Sequence, residues 1–534
     1  MTPFGAVLFL FLCVSLVDGL KVLVHNAAIA HSHIEFQQAI ADILIDAGHT
    51  VHIFMPVPDA ESLPKQIRAA KVYQFQPSRT TNMSELPFRK YPFDRAINKN
   101  TFALNGASLI KFMELTDGIC DDILADDRLL DELRNEQYDA VISEFYDFNY
   151  FGIFHAVGIK TKIISSAVPA SELLSYYYGI PTPRSYATNT LDSFANTPKL
   201  TYLQKVENLY NSFTEVYAMK SMAAKTNKKL RAKFGSAFPD VQEIVQNTSV
   251  ALVNAADVLD LPKPTSHKLI NIGGINIKKP KKTLDSNIEA IFQKAKKGVV
   301  LFSFGSLANP LTMKPKMKAA FIDSFAKFPE YEFIWKFTPS NDNESRLLES
   351  HENIHTVQWM DQTTILEQPK LRAFMTHCGL NSLTESVYAG KPMIAIPLFA
   401  DQDYNSAIVV ERRVGVFVEI ATVDEKIMTD ALKQVLDTDE FYNNAQRLKK
   451  KILTFPSDPK ALVRQWVEYA AEFGDLHENF NLEGINIDFF RYFCLDVILP
   501  AVFVVFAVLY LAGKVALFVV RLISSIAKAK KKAD

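Results

Sequence analysis

Cysteine is scarce in this chain, with only four among 534 residues. Cys13 and Cys494 fall in or beside apolar terminal segments, which leaves Cys120 and Cys378 for the body of the protein. Two cysteines cannot build a disulfide framework, and no cluster of Cys, His, Asp or Glu has the spacing of a metal site. The sequence therefore gives no basis for a disulfide-stapled fold, and we expect no bound metal.

Net charge is also nearly absent, because 58 basic and 59 acidic residues give −1 at pH 7. A chain without excess positive charge lacks the electrostatic signature of a nucleic-acid-binding protein, so we expect no nucleic-acid partner. Internal repeats and low-complexity segments are lacking too. The length leaves room for two or three domains, and a hydrophobic content of 48% is that of a globular chain.

The first residues have the pattern of a secretory signal peptide. An apolar stretch at 6–17 is followed by small residues near Gly19, although a basic n-region is missing. We predict cleavage after Gly19, so that 1–19 is a signal peptide and the mature chain begins at Leu20.

A second apolar stretch lies near the C-terminus, at 497–520, and is interrupted only by Lys514. Its length suits a membrane-spanning helix, and a lysine near one end can extend its ammonium group to the interface. Basic residues dominate the following tail, 521–534, and such residues stay on the cytosolic side. The sequence predicts a single-pass type I membrane protein with its body in the lumen.

The mature chain opens with alternating strand-like and helix-like segments. Apolar runs at 20–25 and 50–55 flank a helix-like stretch at 34–47, an arrangement typical of a parallel sheet with helices on both faces. Further strands are predicted at 139–143, 161–166 and 250–255. We assign 20–256 to a first lobe.

A Pro- and Lys-rich stretch at 257–287 interrupts this pattern and is interpreted as a linker that contains one short strand, KLINI at 268–272. A second lobe, 288–475, begins with the strand-like run GVVLFSFGS at 298–306 and again alternates strands with helices. Two doubly wound lobes that face each other form a cleft, and ligands of such sheets bind beyond the carboxyl ends of the strands. The predicted fold class is α/β, with two Rossmann-like lobes and a C-terminal transmembrane helix.

The most informative stretch is WMDQTTILEQPKLRAFMTHCGLNSLTESVYAGKPMIAIPLFADQ, residues 359–402. Within it a strand-like run, LRAFMT, leads into a helix-like run, and the N-terminus of a helix attracts anions such as phosphate. Polar side chains surround that junction: His377, Asn381, Ser382, Glu385, Asp401 and Gln402. An aromatic side chain, Trp359, begins the stretch. Together these groups would fit a phosphate, a sugar and a flat base, the three parts of a nucleotide sugar.

This stretch resembles the nucleotide-binding signature of the family 1 UDP-glycosyltransferases, which include UDP-glucuronosyltransferases and plant glucosyltransferases. The spacing holds over all 44 residues without a gap, although Asp361 stands where Pro is usual and Leu380 where plant members carry a second Trp. The resemblance implies the GT-B fold and transfer of a hexosyl group, glucose or glucuronic acid, from a UDP-sugar to a hydroxyl of a small lipophilic acceptor. It also implies inversion at the anomeric carbon, without a metal or other cofactor.

The resemblance further implies a role for each matching residue. Trp359 would stack on uracil, Glu385 would bind ribose hydroxyls, and Asp401 and Gln402 would hold the sugar. His377 and the helix N-terminus beside it would oppose the charge that grows on the diphosphate, and Ser306, after Gly305, would add a donor. The implied UDP-sugar-binding set is Ser306, Trp359, Gln362, His377, Gly379, Asn381, Ser382, Glu385, Asp401 and Gln402.

Removal of the acceptor's proton needs a base, and histidine suits that task because its ordinary pKa lies near neutrality. Two candidates, His31 and His33, follow the first strand. In the family the base precedes the histidine of a Gly–His pair by 16 positions, a separation that His33 and His49 reproduce, so we favour His33. The family's partner carboxylate aligns with Glu144, and Asp147 is the alternative.

Two further features bear on location. Lys531 and Lys532 are the fourth and third residues from the C-terminus, which resembles the dilysine signal that returns membrane proteins to the endoplasmic reticulum. Glycosylation sequons at Asn82, Asn247 and Asn343 are consistent with a luminal body. We therefore expect a protein of the endoplasmic reticulum membrane.

Several alternatives stay open. The donor is glucose or glucuronate, and the lack of an arginine assignable to a uronate carboxylate favours glucose. A rival interpretation is a UDP-sugar-binding protein without transferase activity, acting as a partner or scaffold, against which His33 argues. A third is a GT-B-like epimerase, which would need neither an acceptor region nor a membrane anchor. A homo-oligomer is also left open.

Overall fold

The described part of the chain forms two compact units that divide after Asn481. The computed structural model describes residues 19–28, 30–58, 63, 66–78, 86–97, 107–145, 148–188, 199–339 and 341–533. Most of the predicted signal peptide therefore lies outside the described residues, as do Asn82 and the alternative carboxylate Asp147.

The first lobe is built on a seven-stranded sheet. Its strands are β1 (Lys21–His25), β2 (Thr50–Pro56), β3 (Lys71–Phe75), β4 (Ala140–Glu144), β5 (Thr161–Ser166), β6 (Ala251–Val253) and β7 (Leu269–Asn271). They run parallel in the order β3-β2-β1-β4-β5-β6-β7. Strands β4 and β5 are buried along their whole length, as expected for apolar runs in a parallel sheet covered on both faces.

The helices in this part of the chain are α1 (His31–Asp46), α2 (Pro87–Lys90), α3 (Ala107–Ala125), α4 (Asp127–Asn135), α5 (Asn149–Ala156), α6 (Glu172–Tyr177), α7 (Tyr202–Phe234) and α8 (Val241–Gln246). Helix α2 packs its Phe88 against the second lobe. The longest, α7, begins with a capping box formed by Thr201 and Gln204 and ends at Gly235. It spans 33 residues between β5 and β6.

The second lobe repeats the architecture with six parallel strands. They are β8 (Gly298–Ser303), β9 (Tyr331–Lys336), β10 (Ile354–Val357), β11 (Leu371–Thr376), β12 (Met393–Ala395) and β13 (Gly415–Phe417), in the order β10-β9-β8-β11-β12-β13. Its helices are α9 (Ser286–Lys294), α10 (Pro315–Ala326), α11 (Asp342–Glu349), α12 (Gln362–Leu366), α13 (Leu380–Ala389), α14 (Gln402–Glu411), α15 (Glu425–Leu436) and α16 (Glu440–Leu453). Two doubly wound lobes were predicted, and the structure confirms them.

Two elements cross the lobe limits drawn from the sequence. Strand β7 lies inside the stretch assigned to the linker, 257–287, yet it pairs with β6 at the edge of the first sheet. Helix α17 (Pro459–Phe473), at the end of the segment assigned to the second lobe, packs its residues Val463, Val467 and Ala470 into the core of the first lobe. The short helix α18 (His477–Phe480) follows it.

The strand orders define one reversal point in each sheet. In the first lobe the chain proceeds outward from β1 through β2 and β3, then returns to place β4 on the other side of β1. In the second lobe the same happens at β8 and β11. At such a point the loops after neighbouring strands diverge and leave a crevice at their carboxyl ends. These two crevices are where the candidate residues lie.

The C-terminal unit is helical. It contains α19 (Phe489–Tyr492) and α20 (Leu495–Ala533). Within α20, Leu495–Lys531 is long and apolar enough to cross a membrane, judged by length and composition, and it includes the predicted span at 497–520. The Nζ atom of Lys514 lies 5.5 Å from the ring centre of Tyr510, one turn away on the same helix.

Candidate active site

His33 and Glu144 meet at the reversal point of the first sheet. His33 lies in the first turn of α1, which follows β1, and Glu144 is the last residue of β4, the neighbour of β1. The Nδ1 atom of His33 lies 2.7 Å from Oε1 of Glu144, across 111 residues of sequence. The fold therefore brings together the two residues that the sequence paired as base and partner.

Glu144 is held in turn by its neighbours. Its Oε1 atom accepts a hydrogen bond from the backbone N–H of Ala167 at 3.0 Å, and Nε2 of Gln37 donates to its Oε2 atom at 3.5 Å. The same Gln37 amide donates to Oγ of Ser165 at 2.7 Å. Sequence reasoning missed Gln37, although its place four residues after His33, on the same helix face, was a usable signal.

The surroundings of His33 determine the pKa of its ring. Burial is the largest single influence and lowers the pKa, but the charge and hydrogen bond of Glu144 and the charge of Asp401 together raise it above its ordinary value. The side chain is 21% exposed, so it is accessible to a small molecule. Such a histidine can take up a proton and be stabilised as a cation by the carboxylate beside it.

His31, the other candidate base, has a different partner. Its Nε2 atom lies 3.4 Å from Oε1 of Glu35, one helical turn away, and its side chain is 47% exposed. Glu35 also forms an ion pair with Lys278 at 2.5 Å, and burial of Glu35 raises its pKa, but the contacts with His31 and Lys278 outweigh burial and lower it to about 2. The geometry therefore favours His33 as the histidine with a carboxylate in the crevice.

His377 occupies the matching place in the second lobe, directly after β11 and beside the loop that follows β8. Gly305 and Gly379 enclose its ring, because a Cβ atom added to either glycine would lie 2.6 Å from a ring atom. Gly305 also has a φ of +77°, which glycine adopts without strain. Burial, followed by the charge of Lys336, lowers the pKa of His377 to about 4, so the ring is neutral near pH 7.

The loop after β11 leads into α13 with no side-chain cap on the helix among the described residues, and Gly379 is the N-cap. Cys378 has a φ of +65° and is fixed by two hydrogen bonds. Its N–H donates to Oγ1 of Thr376 at 3.1 Å, and Nδ2 of Asn405 donates to its carbonyl at 3.0 Å. The first-turn N–H groups of a ten-residue helix are thus held at the end of the sheet, where they suit an anion.

Two more predicted ligands lie near this helix end. Asn381 is in the first turn of α13, and its Oδ1 atom accepts a hydrogen bond from Nδ2 of Asn276 at 3.1 Å. Ser306 lies in the loop after β8 with its side chain exposed. Both side chains can add donors to the anion site formed by the helix.

Gln362, the first residue of α12, links two other predicted ligands. Its Nε2 atom donates to Oγ of Ser382 at 3.2 Å and also to Oε2 of Glu385. Thr363 donates to Oε1 of Glu385 at 3.2 Å. Burial, the strongest influence, raises the pKa of Glu385 despite these bonds. Gln362 therefore holds the carboxylate of Glu385 in place.

Trp359 lies at the surface, with 71% of the residue exposed. The Nζ atom of Lys336 lies 4.6 Å from its ring centre and donates a hydrogen bond to the carbonyl of Gly305 at 3.0 Å. A tryptophan between strands is ordinarily a core residue, so this exposure marks a ring that can stack on a planar ligand. Lys336, at the end of β9, places a cation beside the anion site, and sequence reasoning missed it.

Asp401 and Gln402 begin α14. The Oδ2 atom of Asp401 accepts a hydrogen bond from Nδ2 of Asn405 at 2.7 Å. Burial raises the pKa of Asp401, while the hydrogen bond from Asn405 and the charge of His33 oppose that rise. The Asp401 carboxylate of the second lobe therefore interacts electrostatically with His33 of the first lobe. The Oε1 atom of Gln402 accepts from the backbone N–H groups of Leu398 at 2.8 Å and Phe399 at 3.2 Å. Its oxygen therefore shapes the loop before α14, and its amide NH2 is the part that suits a sugar hydroxyl.

Comparison with known proteins identifies the family. Residues 20–532 match the family described as "UDP-glucoronosyl and UDP-glucosyl transferase". The chain belongs to this family of UDP-glycosyltransferases. A Caenorhabditis briggsae protein provisionally named UDP-glucuronosyltransferase ugt-47 is 28% identical over 512 residues, covering 93% of this chain and 92% of its own. UDP-glucuronosyltransferase 1-2 of Rattus norvegicus is 27% identical over 524 residues, covering 95% and 93%.

Similarity to a solved structure supports the fold assignment. The crystal structure of the glycotransferase of kitacinnamycin superposes with a TM-score of 0.57 at 15% identity, covering 84% of this chain and 99% of its own. At that identity the likeness concerns the fold alone. It confirms the two-lobed GT-B-like architecture of this UDP-glycosyltransferase, and the family match confirms the resemblance drawn from residues 359–402.

The described residues near the end of β11 bring together groups that suit an anion. Within the described ranges, no group of three or more His, Cys, Asp or Glu side chains could hold a metal ion. The α13 N-terminus lies beside the neutral ring of His377 and the side chain of Lys336. Trp359 lies beside Lys336, and the charge of His33 lowers the pKa of Asp401.

Proposed function

We propose that this chain transfers a hexosyl group from a UDP-sugar to a hydroxyl of a small lipophilic acceptor, with inversion at the anomeric carbon. The observation that carries the proposal is the 2.7 Å contact between His33 and Glu144 in the lobe opposite the UDP-glycosyltransferase signature. A binding protein or scaffold would need the signature alone. The epimerase alternative would not need a base for an acceptor hydroxyl.

His33 acts as the general base in this proposal. Its Nδ1 atom faces Glu144, so Nε2 is the ring nitrogen that takes the proton from the acceptor hydroxyl as the oxygen attacks the anomeric carbon. Glu144 fixes the tautomer and stabilises the imidazolium that forms. The bond between the anomeric carbon and the diphosphate breaks as the new glycosidic bond forms, and UDP leaves with its electron pair.

The second lobe stabilises the leaving diphosphate. First-turn N–H groups of α13 and the positive end of its dipole face the growing negative charge, beside the neutral ring of His377. Lys336 supplies a cation through its position beside Gly305 and Trp359. With these donors we propose no requirement for a divalent metal.

The remaining ligands divide the donor between them. Trp359 stacks on the uracil ring, and the Glu385 carboxylate, held by Gln362, accepts from the ribose hydroxyls. Asp401 and the amide of Gln402 hold hydroxyls of the sugar. Because the charge of His33 lowers the pKa of Asp401, these two side chains interact across the lobes. A sugar held by Asp401 therefore lies between the two lobes, with its anomeric carbon facing the base. Attack from that side, opposite UDP, inverts the configuration.

Aromatic side chains beside Glu144 support a lipophilic acceptor. Phe145 directly follows Glu144 and packs edge-to-face on Phe148 at 5.6 Å and on Tyr177 at 6.3 Å between ring centres. Such rings form an apolar wall next to the proposed base. We retain glucose as the favoured sugar, with glucuronate as the alternative.

We also propose that the chain is anchored in the endoplasmic reticulum membrane by α20, with both lobes in the lumen. The apolar stretch of α20 and the basic residues that follow it support this orientation. Asn247, one of the sequon residues, is exposed on the first lobe and therefore accessible to glycosylation. The side chain of Asn343 lies outside the described residues.

A donor panel tests the function. The full chain in detergent or vesicles is given one phenolic acceptor and, in turn, UDP-glucose, UDP-glucuronate, UDP-galactose and UDP-N-acetylglucosamine. We expect glycoside formation with one donor well above the others, UDP-glucose in the first place, and a product of inverted anomeric configuration by NMR. Loss of activity on adding EDTA would overturn the metal-independent step, and a lack of turnover with every donor would overturn the transferase.

A further inference from the structure

A segment of the first lobe is built into the core of the second. Residues 86–97 follow β3 in the chain, yet Phe93 is buried among apolar side chains of the second lobe and its ring centre lies 5.1 Å from that of Phe304. Phe88 packs in the same way on Phe399 at 5.5 Å. The two aromatic side chains anchor this segment, which we call the cross-lobe arm.

Arg95, at the tip of the cross-lobe arm, forms a buried cluster with the second lobe. Its residue exposure is only 6%. Its guanidinium binds both carboxylate oxygens of Asp403, with Nη1 at 2.8 Å from Oδ2, and Nε lies 3.2 Å from Oε1 of Glu419. Nη1 also donates to the carbonyl of Leu398 at 3.3 Å. Burial opposes the charge of Arg95, but these carboxylates raise its pKa, so it stays a cation.

The groups that Arg95 binds flank the sugar end of the proposed donor site. Asp403 directly follows Gln402, and Leu398 lies three residues before Asp401. The side chain of Gln402 accepts hydrogen bonds from the N–H groups of Leu398 and Phe399 and so fixes the conformation of the loop that precedes α14. The loop that carries Asp401 and Gln402 is therefore held internally by Gln402 and from the other lobe by Arg95.

We propose that Arg95 is a positioning residue for the donor sugar, which it serves by fixing Asp401 and Gln402 against the first lobe. The inference rests on the proposed function of those two residues. A planar guanidinium that binds one carboxylate through two nitrogens sets angle as well as distance, which a lysine cannot reproduce. Since a displacement of about 1 Å in a positioning group can cost up to roughly 100-fold, the arm sets how the sugar is presented to His33.

Calorimetry on the full chain separates this role from a general structural one. The dissociation constants of UDP, UDP-glucose and UDP-glucuronate are measured for wild type, Arg95→Met and Arg95→Lys. The matched control is Arg184→Met, which removes a partly buried arginine from its ion pair with the buried Glu172 within the first lobe. Thermal unfolding is recorded for every variant.

We expect Arg95→Met to weaken the tighter-binding UDP-sugar about tenfold while UDP affinity changes by less than about twofold, because the uracil and phosphate ligands are untouched. Arg95→Lys should fall between, and it serves as the test if Arg95→Met does not fold. Arg184→Met should lower the unfolding temperature without changing the ratio of UDP-sugar to UDP affinity. An equal loss for UDP and UDP-sugar, or no loss for either, would overturn the inference. A wild type that binds UDP-sugars but transfers to no acceptor would overturn the proposed function alone.

Discussion

The Nδ1 atom of His33 lies 2.7 Å from the Glu144 carboxylate, at the point where the first sheet reverses its winding. The carboxylate is fixed further by the N–H of Ala167 and by Gln37. A glutamate therefore reaches the histidine from the end of β4 in this UDP-glycosyltransferase, and its additional methylene relative to aspartate is accommodated by these contacts.

Replacement of His33 by alanine should remove the base and leave the donor site intact. We expect transfer to fall by roughly 100- to 10,000-fold, the range of a positioned general base, with UDP affinity within about twofold of wild type. Initial rates at saturating donor and calorimetry with UDP measure the two quantities. His31→Ala is the matched control, since His31 contacts Glu35 rather than Glu144, and it should retain most of the activity. Near-normal transfer by His33→Ala would show that another group is the base.

Replacement of Glu144 by glutamine should lower the rate and shift its pH dependence. The reacting form of His33 is the neutral ring, so kcat/KM rises with pH through the pKa of His33. Glu144 raises that pKa, so its loss should move the rising limb to lower pH while the plateau falls by about 100-fold. Profiles of kcat/KM from about pH 5 to about pH 9 measure both effects. Glu144→Asp should keep the negative charge on a shorter side chain. If the rising limb of the kcat/KM profile stays at the same pH in Glu144→Gln as in wild type, the pairing of His33 with Glu144 is contradicted.

The same contact predicts a pH dependence of stability. Since folding raises the pKa of His33 above its ordinary 6.5, the contribution of the charged pair is fully present below that value and is lost as the pH rises through the raised folded pKa. The difference in free energy of unfolding between wild type and Glu144→Gln should therefore be larger at about pH 5.5 than at about pH 9. Urea titrations at the two pH values measure it, and an equal difference at both would argue against a charged pair.

Trp359→Ala should weaken nucleotide binding and leave stability unchanged. Stacking of a base on an aromatic side chain contributes about 1–3 kcal/mol, so we expect UDP affinity to fall by roughly 5- to 150-fold. Because the residue is 71% exposed, the free energy of unfolding should change by less than about 0.5 kcal/mol. Tyr202→Ala, an exposed aromatic on α7, is the control and should alter neither. A large loss of stability in Trp359→Ala would identify a structural role instead.

Gly305→Ala should displace the ring of His377 and impair donor binding. The added Cβ would lie 2.6 Å from Cε1 of that ring, on a backbone with φ of +77°. Gly158→Ala is the matched control, because Gly158 has a φ of +90° but no atom within 4 Å of the added Cβ. Both should lose about 1–3 kcal/mol of stability through backbone strain, whereas only Gly305→Ala should weaken UDP binding. Equal UDP affinity in the two variants would show that the position of His377 is unimportant for the diphosphate.

Much of the fold was predictable because its signals are local. The run TKIISS coincides with β5, and the helix predicted at 34–47 overlaps α1. The short run KLINI, at 268–272, predicts a strand and contains β7, but only the pairing of β7 with β6 shows that this strand belongs to the first sheet. Helix α17 was placed with the second lobe by sequence order, and only its buried face shows that it packs on the first.

The sequence by itself determined the family, the donor class and the identity of most candidate ligands, because residues 359–402 form one continuous run of local elements, from α12 through β11, α13 and β12 to the start of α14. The tertiary structure decided which distant groups meet: Glu144 with His33 over 111 residues, and Arg95 with Asp403 over 308. Such pairs depend on which strands become neighbours and which loops share a sheet's carboxyl edge, and no local pattern specifies that. The roles of Gln37, Lys336 and Arg95 became visible only there.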